Sequence, residues 1–87
     1  MRIIRTTDTT VVFRRPFALS GLDRQQPAGA YRLVIDEEEI VGVSFLAYRR
    51  MATMLHTPSI TDRGGLHEVF IIDPMELETA LAADSRS

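Results

Sequence analysis

Two histidines are the residues of this chain best suited to acid–base chemistry or metal binding. His56 and His67 stand eleven positions apart, with no close pair of carboxylates at a ligand spacing beside them. A protein metal site needs three or four converging ligands. We therefore predict that both histidines are surface or strand-end residues, and that the chain holds no metal and no other cofactor.

Serine could supply a nucleophile to either histidine, and the candidates are Ser20, Ser44 and Ser59. None of them lies in a Gly-x-Ser-x-Gly elbow, and Gly64-Gly65 indicates a turn rather than a phosphate cradle. The absence of cysteine excludes thiolate metal sites, cysteine nucleophiles and disulfides. The sequence predicts a protein without catalytic residues, and hence not an enzyme.

Two arginine pairs interleave with aromatic residues and could bind another molecule. The candidate contact face comprises Phe17, Tyr48, Arg49, Arg50, Arg14 and Arg15. Arginine and aromatic side chains are enriched at protein–protein hot spots, and they also build single-strand nucleic-acid grooves. Because the net charge is −2 and no RNP or KH signature is present, we predict a protein partner, with nucleic acid as the alternative. The same residues could instead be core aromatics with arginines that snorkel or form ion pairs.

The acidic run over residues 36–39 does not have the alternating ligands of a calcium loop. It predicts a solvated turn or a short helical turn that Gly42 would end. Such charges also discourage sheets from pairing edge to edge.

The elements that must position these residues are mostly strands. Thr9-Thr10-Val11-Val12-Phe13 and residues 30–35 are β-branched or alternate in hydropathy, which is typical of strands. A loop of about ten residues, rich in Pro and Gly, separates them. Residues 44–57 fit either a helix, with a stripe that includes Phe45, Tyr48, Ala52 and Leu55, or a hairpin strand; we prefer the strand.

The C-terminal third predicts a buried strand over residues 67–72, followed by a helix. Asp73 is the expected N-cap, Pro74 occupies the first helical position, and Glu76 is placed to reach back to the Asp73 N–H. We expect the helix to bury Met75, Leu77, Ala80 and Leu81 and to expose Glu76, Glu78 and Asp84. The predicted fold is α+β: one domain over residues 1–87, with a small twisted antiparallel sheet or partly open barrel of about four strands and one C-terminal helix.

Several segments resemble a family of small uncharacterised bacterial proteins. They are Pro16-Phe17, Gly21-Leu22-Asp23, Gln26-Pro27-Ala28-Gly29 with Tyr31, and Ser44-Phe45 with Ala47-Tyr48-Arg49-Arg50. The resemblance covers roughly Phe13 to Leu55. Since the family has no known activity, ligand or partner, the resemblance implies only a small, freestanding bacterial domain.

Composition limits the setting in which the protein acts. The chain has 87 residues, of which 45% are hydrophobic and 25% charged, as in ordinary globular domains. All ten basic residues are arginine, a bias that a GC-rich bacterial genome would produce. With no signal-like N-terminus and no long apolar run, we expect a cytoplasmic protein without membrane contact, as a monomer or small homo-oligomer.

Overall fold

Four antiparallel strands and one helix make up the computed structural model, which describes residues 4–40, 42, 47–62 and 64–86. The elements are β1 (Ile4–Phe13), β2 (Gly29–Glu39), β3 (Tyr48–Thr57), β4 (Glu68–Ile71) and α1 (Pro74–Ser85). The strand order is β1-β2-β3-β4, so each strand pairs with its neighbour in sequence. The predicted α+β fold is confirmed, and the sheet is open rather than closed into a barrel.

The strand register sorts the side chains onto two faces. Thr9 lies opposite Leu33, and Leu33 lies opposite Leu55. Directly opposed residues point to the same side of a sheet, and every second residue of a strand shares that side. We call this side the covered face, because it carries the buried side chains Phe13, Tyr31, Leu33, Thr53 and Leu55.

The core lies between the covered face, α1 and the loop over residues 14–28. The loop contributes Phe17 and Leu19 to it, and α1 contributes Leu77. The ring of Phe17 stacks on that of Phe13, with centroids 3.7 Å apart, and meets Tyr31 edge-on at 5.1 Å. The hydroxyl of Tyr31 donates a 2.6 Å hydrogen bond to the Pro27 carbonyl, and burial raises the pKa of Tyr31.

The same loop reaches across to β4. A Cβ atom on Gly21 would lie 2.5 Å from the Ile71 carbonyl oxygen, which is closer than any side chain tolerates, so only glycine fits here. Nearby, the guanidinium of Arg24 lies 3.7 Å from the Glu68 carboxylate. The loop therefore connects the two edge strands of the sheet: it follows β1 in the chain and contacts β4.

The acidic run is not the turn that the sequence predicted. Residues 36–39 continue β2, opposite β1 on one side and β3 on the other. The expectation was wrong because both neighbouring strands supply arginine to this segment. Asp36 lies opposite Ala52 whereas Glu37 lies opposite Arg50, which leaves Met51 as the extra residue of a β-bulge.

Residues 48–57 form a strand, which confirms the preference for a strand in the ambiguous segment. The predicted start of that segment, including Ser44 and Phe45, lies outside the described residues. The strand predicted over residues 67–72 is β4, and its expected burial holds for Ile72, which is 4% exposed, and in part for Phe70, which packs against the core, but not for the other side of the strand. Val69 is 49% exposed and Ile71 is 72% exposed, because nothing described covers that side of the sheet.

Helix α1 begins at the predicted cap. The Asp73 carboxylate accepts hydrogen bonds from the N–H groups of Met75 at 2.8 Å and Glu76 at 3.4 Å. The reciprocal bond of a capping box is not made. The Glu76 carboxylate instead accepts from the N–H and hydroxyl of Ser20, at 2.7 and 3.0 Å, and so attaches the loop to the helix. No helix in the described part of the chain is long and apolar enough to cross a membrane.

The buried side of α1 differs from the predicted one at two positions. Leu77 is buried and Ala80 and Leu81 are partly buried, as expected, but Met75 is 70% exposed. Asp84 was expected in solvent and is 8% exposed. The reason is helical phase: Leu77, Ala80, Leu81 and Asp84 follow the spacing i, i+3, i+4, i+7 of one stripe, and Met75 points away from it.

Leu77→Ala should lower the free energy of unfolding by about 2–5 kcal/mol, because it empties a core position. Met75→Ala is the matched control in the same helix, and it should change stability by no more than about 0.5 kcal/mol. Urea denaturation followed by circular dichroism measures both. Equal losses in the two variants would contradict the helix docking described here.

Candidate functional site

The six residues predicted as one contact face do not form one surface. Phe17 is buried in the core at 7% exposure and touches Tyr31, whereas Tyr48 lies opposite Glu39. Tyr31 and Glu39 both belong to β2 and are eight residues apart, which corresponds to about 26 Å along the strand at roughly 3.3 Å per residue. The candidate face is therefore divided between the two ends of the sheet.

Arg14 and Arg15 contact the C-terminal end of α1. Their backbone N–H groups donate to the two carboxylate oxygens of Asp84, at 2.9 and 3.0 Å. Their guanidinium groups donate to the carbonyls of Asp84 and Ala83, at 3.2 and 3.1 Å. Cations at a helix C-terminus are favoured by its dipole, so this arginine pair has a structural role.

Tyr48, Arg49 and Arg50 lie at the opposite, polar end of the sheet. Arg49 donates to the Glu38 carboxylate at 2.7 Å, and Arg50 lies within 3.4 Å of the Thr53 hydroxyl. The guanidinium of Arg5 lies 3.9 Å from the centre of the Tyr48 ring and bonds Glu37 at 2.8 Å. The acidic run thus balances most of the arginine charge at this end.

The second side of the sheet, which we call the open face, carries an apolar patch. Ile71 lies opposite Met54, and Met54 lies opposite Val34, so the three form a row across three strands. Val69 stands two residues before Ile71 on the same side. Ile71 and Val69 are exposed, and Val34 and Met54 are partly exposed. We define the apolar patch as Val34, Met54, Val69 and Ile71.

The two histidines meet on this open face, beside the patch. His56 lies opposite Val69 in the register, and His67 precedes Val69 by two residues on the same side. Nδ1 of His56 and Nε2 of His67 are 2.9 Å apart, so one imidazole donates a hydrogen bond to the other. The sequence prediction that they are strand-end residues holds, but it missed that they are partners.

The surroundings of His56 lower the pKa of its imidazole. Burial, and then the charges of Arg32 and His67, hold the pKa of His56 below its ordinary value of 6.5, while Asp8 acts in the opposite sense. Arg32 in turn bonds the Asp8 carboxylate at 2.6 Å, and this hydrogen bond lowers the pKa of Asp8. The neutral form of His56 is therefore favoured, and one imidazole of the pair carries the proton that bridges the two rings.

Of the candidate serines, Ser20 and Ser59 lie within the described residues, and neither has a described hydrogen bond to a histidine. The hydroxyl of Ser20 donates to Glu76 and not to a histidine. Ser59 is buried at 8% exposure and lines the same cavity as His56 and His67, but the described hydrogen bonds join the histidines to each other. Ser44 lies outside the described residues.

Comparison with known proteins adds no family to this picture: no family model, curated protein or solved structure matches the chain. The resemblance to small uncharacterised bacterial proteins stays a prediction. Function must therefore be inferred from the open face and the groups around it.

Asp84→Ala should destabilise the protein by about 1–3 kcal/mol, because two partly buried N–H groups lose their acceptor. Glu78→Ala removes an exposed carboxylate from the same helix and should stay within about 0.5 kcal/mol of the parent. Thermal and urea unfolding measure both changes. If Asp84→Ala were as stable as Glu78→Ala, the carboxylate would not be holding residues 14 and 15.

The pKa of His56 predicts a stability that falls in acid. Because the folded pKa lies below 6.5, the unfolded chain binds more protons, so this contribution is fully present above pH 6.5 and is lost as the pH falls through the folded value. Melting temperatures of the parent and of His56→Gln, compared from pH 7.5 to 5, should converge as the pH falls. If the melting temperatures of the two proteins changed in parallel with pH, the predicted contribution of His56 would be contradicted.

Proposed function

We propose that this protein is a non-enzymatic protein-interaction module whose partner packs on the open face. The apolar patch is the observation that supports it most strongly. Ile71 and Val69 expose 72% and 49% of their surface on a sheet face that no described element covers. Clustered exposed apolar side chains mark interaction sites more often than isolated ones do.

The surroundings of the patch have the composition of an interface. Protein interfaces combine an apolar centre with a polar, hydrated rim. Here the Asp8–Arg32 ion pair and Thr10 border the patch on the side of β1 and β2. Because Asp8 and Arg32 already neutralise each other, a partner could cover this rim without burying an unpaired charge.

The alternative, a nucleic-acid-binding protein, finds less support. Six described arginines lie within 4.0 Å of a carboxylate: Arg5, Arg14, Arg15, Arg24, Arg32 and Arg49. Nucleic-acid affinity depends on cations that are available to phosphates. The two arginine pairs also lie at opposite ends of the sheet, so they do not merge into one basic stripe.

We propose that this module has a regulatory or scaffolding role and that it acts in the cytoplasm of a bacterium. The cysteine-free composition is compatible with a reducing compartment. The described hydrogen bonds pair Ser20 with Glu76 and the two histidines with each other, which supports a role without catalysis.

Ile71→Glu should weaken partner binding at least tenfold, since it places a charge within the apolar patch. Met75→Glu is the matched control: Met75 is equally exposed, at 70%, but lies on α1. The partner is first isolated from the native host by cross-linking, and its affinity for each purified variant is then measured by calorimetry.

Both variants should keep the melting temperature of the parent. Equal loss of affinity in the two variants, or none in Ile71→Glu, would refute the open face as the binding surface. Single-stranded RNA and DNA, titrated at about 50 and 200 mM salt, test the alternative. A bound complex whose affinity falls steeply with salt would replace the protein-partner proposal.

A further inference from the structure

We propose that His56 and His67 together bind one late first-row divalent cation, with Cu²⁺ preferred and Ni²⁺ next. Neutral imidazole is a common ligand for these ions. The site is distinct from the proposed partner surface, although both lie on the open face. It requires no catalytic role.

The spacing of the two nitrogens suits a particular coordination geometry. Nδ1 of His56 and Nε2 of His67 are 2.9 Å apart. With metal–nitrogen bonds of about 2.0–2.1 Å, that separation corresponds to a nitrogen–metal–nitrogen angle of about 90°. Square-planar and tetragonal Cu²⁺ and Ni²⁺ adopt this angle, and of the divalent first-row ions Cu²⁺ binds a given set of nitrogen ligands most strongly.

Paired strands hold the two rings in place. His56 belongs to β3, and His67 directly precedes β4, which pairs with β3 from Thr57 and Glu68 onward. The rings lie with centroids 5.2 Å apart and an interplanar angle of 72°. Rotation of both rings about their side-chain torsions would turn the two lone pairs toward one point, while the paired strands keep the two residues adjacent.

The remaining coordination positions would belong to water. Within the described ranges, no group of three or more His, Cys, Asp or Glu residues converges. The histidines border a shallow cavity of about 270 Å³ that Ser59 and Asp62 also line, which is room for several waters at about 30 Å³ each. Two histidine ligands, with water in the remaining positions, would form a simple surface chelate rather than a closed site of three or four protein ligands.

The local charges allow a cation here. Arg32 lines the same cavity and would repel a metal ion, but Asp8 neutralises it through the 2.6 Å hydrogen bond. The carboxylate of Asp62, whose negative charge also acts on Tyr31, adds a favourable charge to the cavity. On binding, the bridging proton would move to the other nitrogen of the ring that carries it, so that both imidazoles stay neutral and each offers a lone pair to the ion.

Calorimetric titration of the full chain, made without a histidine tag, with CuCl₂ at pH 7.5 tests the proposal. We expect one Cu²⁺ per chain, bound more tightly than Zn²⁺, and a rise in melting temperature because the ion stabilises only the folded state. His67→Gln and His56→Gln should each weaken binding at least tenfold. The chain has only two histidines, so the double variant contains none and should lose the site.

His67 is exposed, so His67→Gln should remain folded. The test therefore stays valid even if His56→Gln unfolds. Paramagnetic broadening by Cu²⁺ in NMR spectra should centre on residues 56 and 67. Absence of saturable binding, equal binding by the double variant, or broadening centred on the N-terminus or on residues 36–39 would overturn the proposal.

Discussion

The carboxylate of Asp84 is the contact on which the arrangement of this small protein depends most. It accepts hydrogen bonds from two successive backbone N–H groups, those of Arg14 and Arg15, seventy and sixty-nine positions earlier in the chain. This contact fixes the exit of β1 against the last turn of α1. The stacked rings of Phe13 and Phe17 lie beside this contact. The contact therefore fixes the direction in which the loop over residues 14–28 leaves β1 to complete the core.

Closing one face of the sheet leaves the other uncovered. Helix α1 and the loop over residues 14–28 both pack on the covered face, and a chain of this size has no further described element for the open face. The apolar patch and the histidine pair therefore lie together on a solvent-facing surface. The proposed partner site and metal site follow from this asymmetry, while Arg14 and Arg15 contact the C-terminal end of α1 and Arg49 pairs with Glu38.

Local sequence patterns predicted the elements, and contacts distant in sequence decided the rest. The Asp73 cap, the strand over residues 30–35 and the Leu77 stripe could be predicted because each depends on neighbours within a turn or a pleat. The extension of β2 through the acidic run depended on arginines in β1 and β3. The contact between the two histidines could be predicted only with knowledge of the β3–β4 register. The burial of Asp84 could have been predicted by extending the buried stripe from Leu77 to position i+7.

Amide hydrogen exchange of Arg14 and Arg15 tests the central contact most directly. Both residues lie outside the described strands and helix, and within the described part of the chain their N–H groups donate to the Asp84 carboxylate. If the account is correct, these two amides exchange as slowly as those of the central strand β2, and Asp84→Asn accelerates them selectively. Rapid exchange of both amides in the parent protein, comparable to that of exposed loop residues, would contradict it.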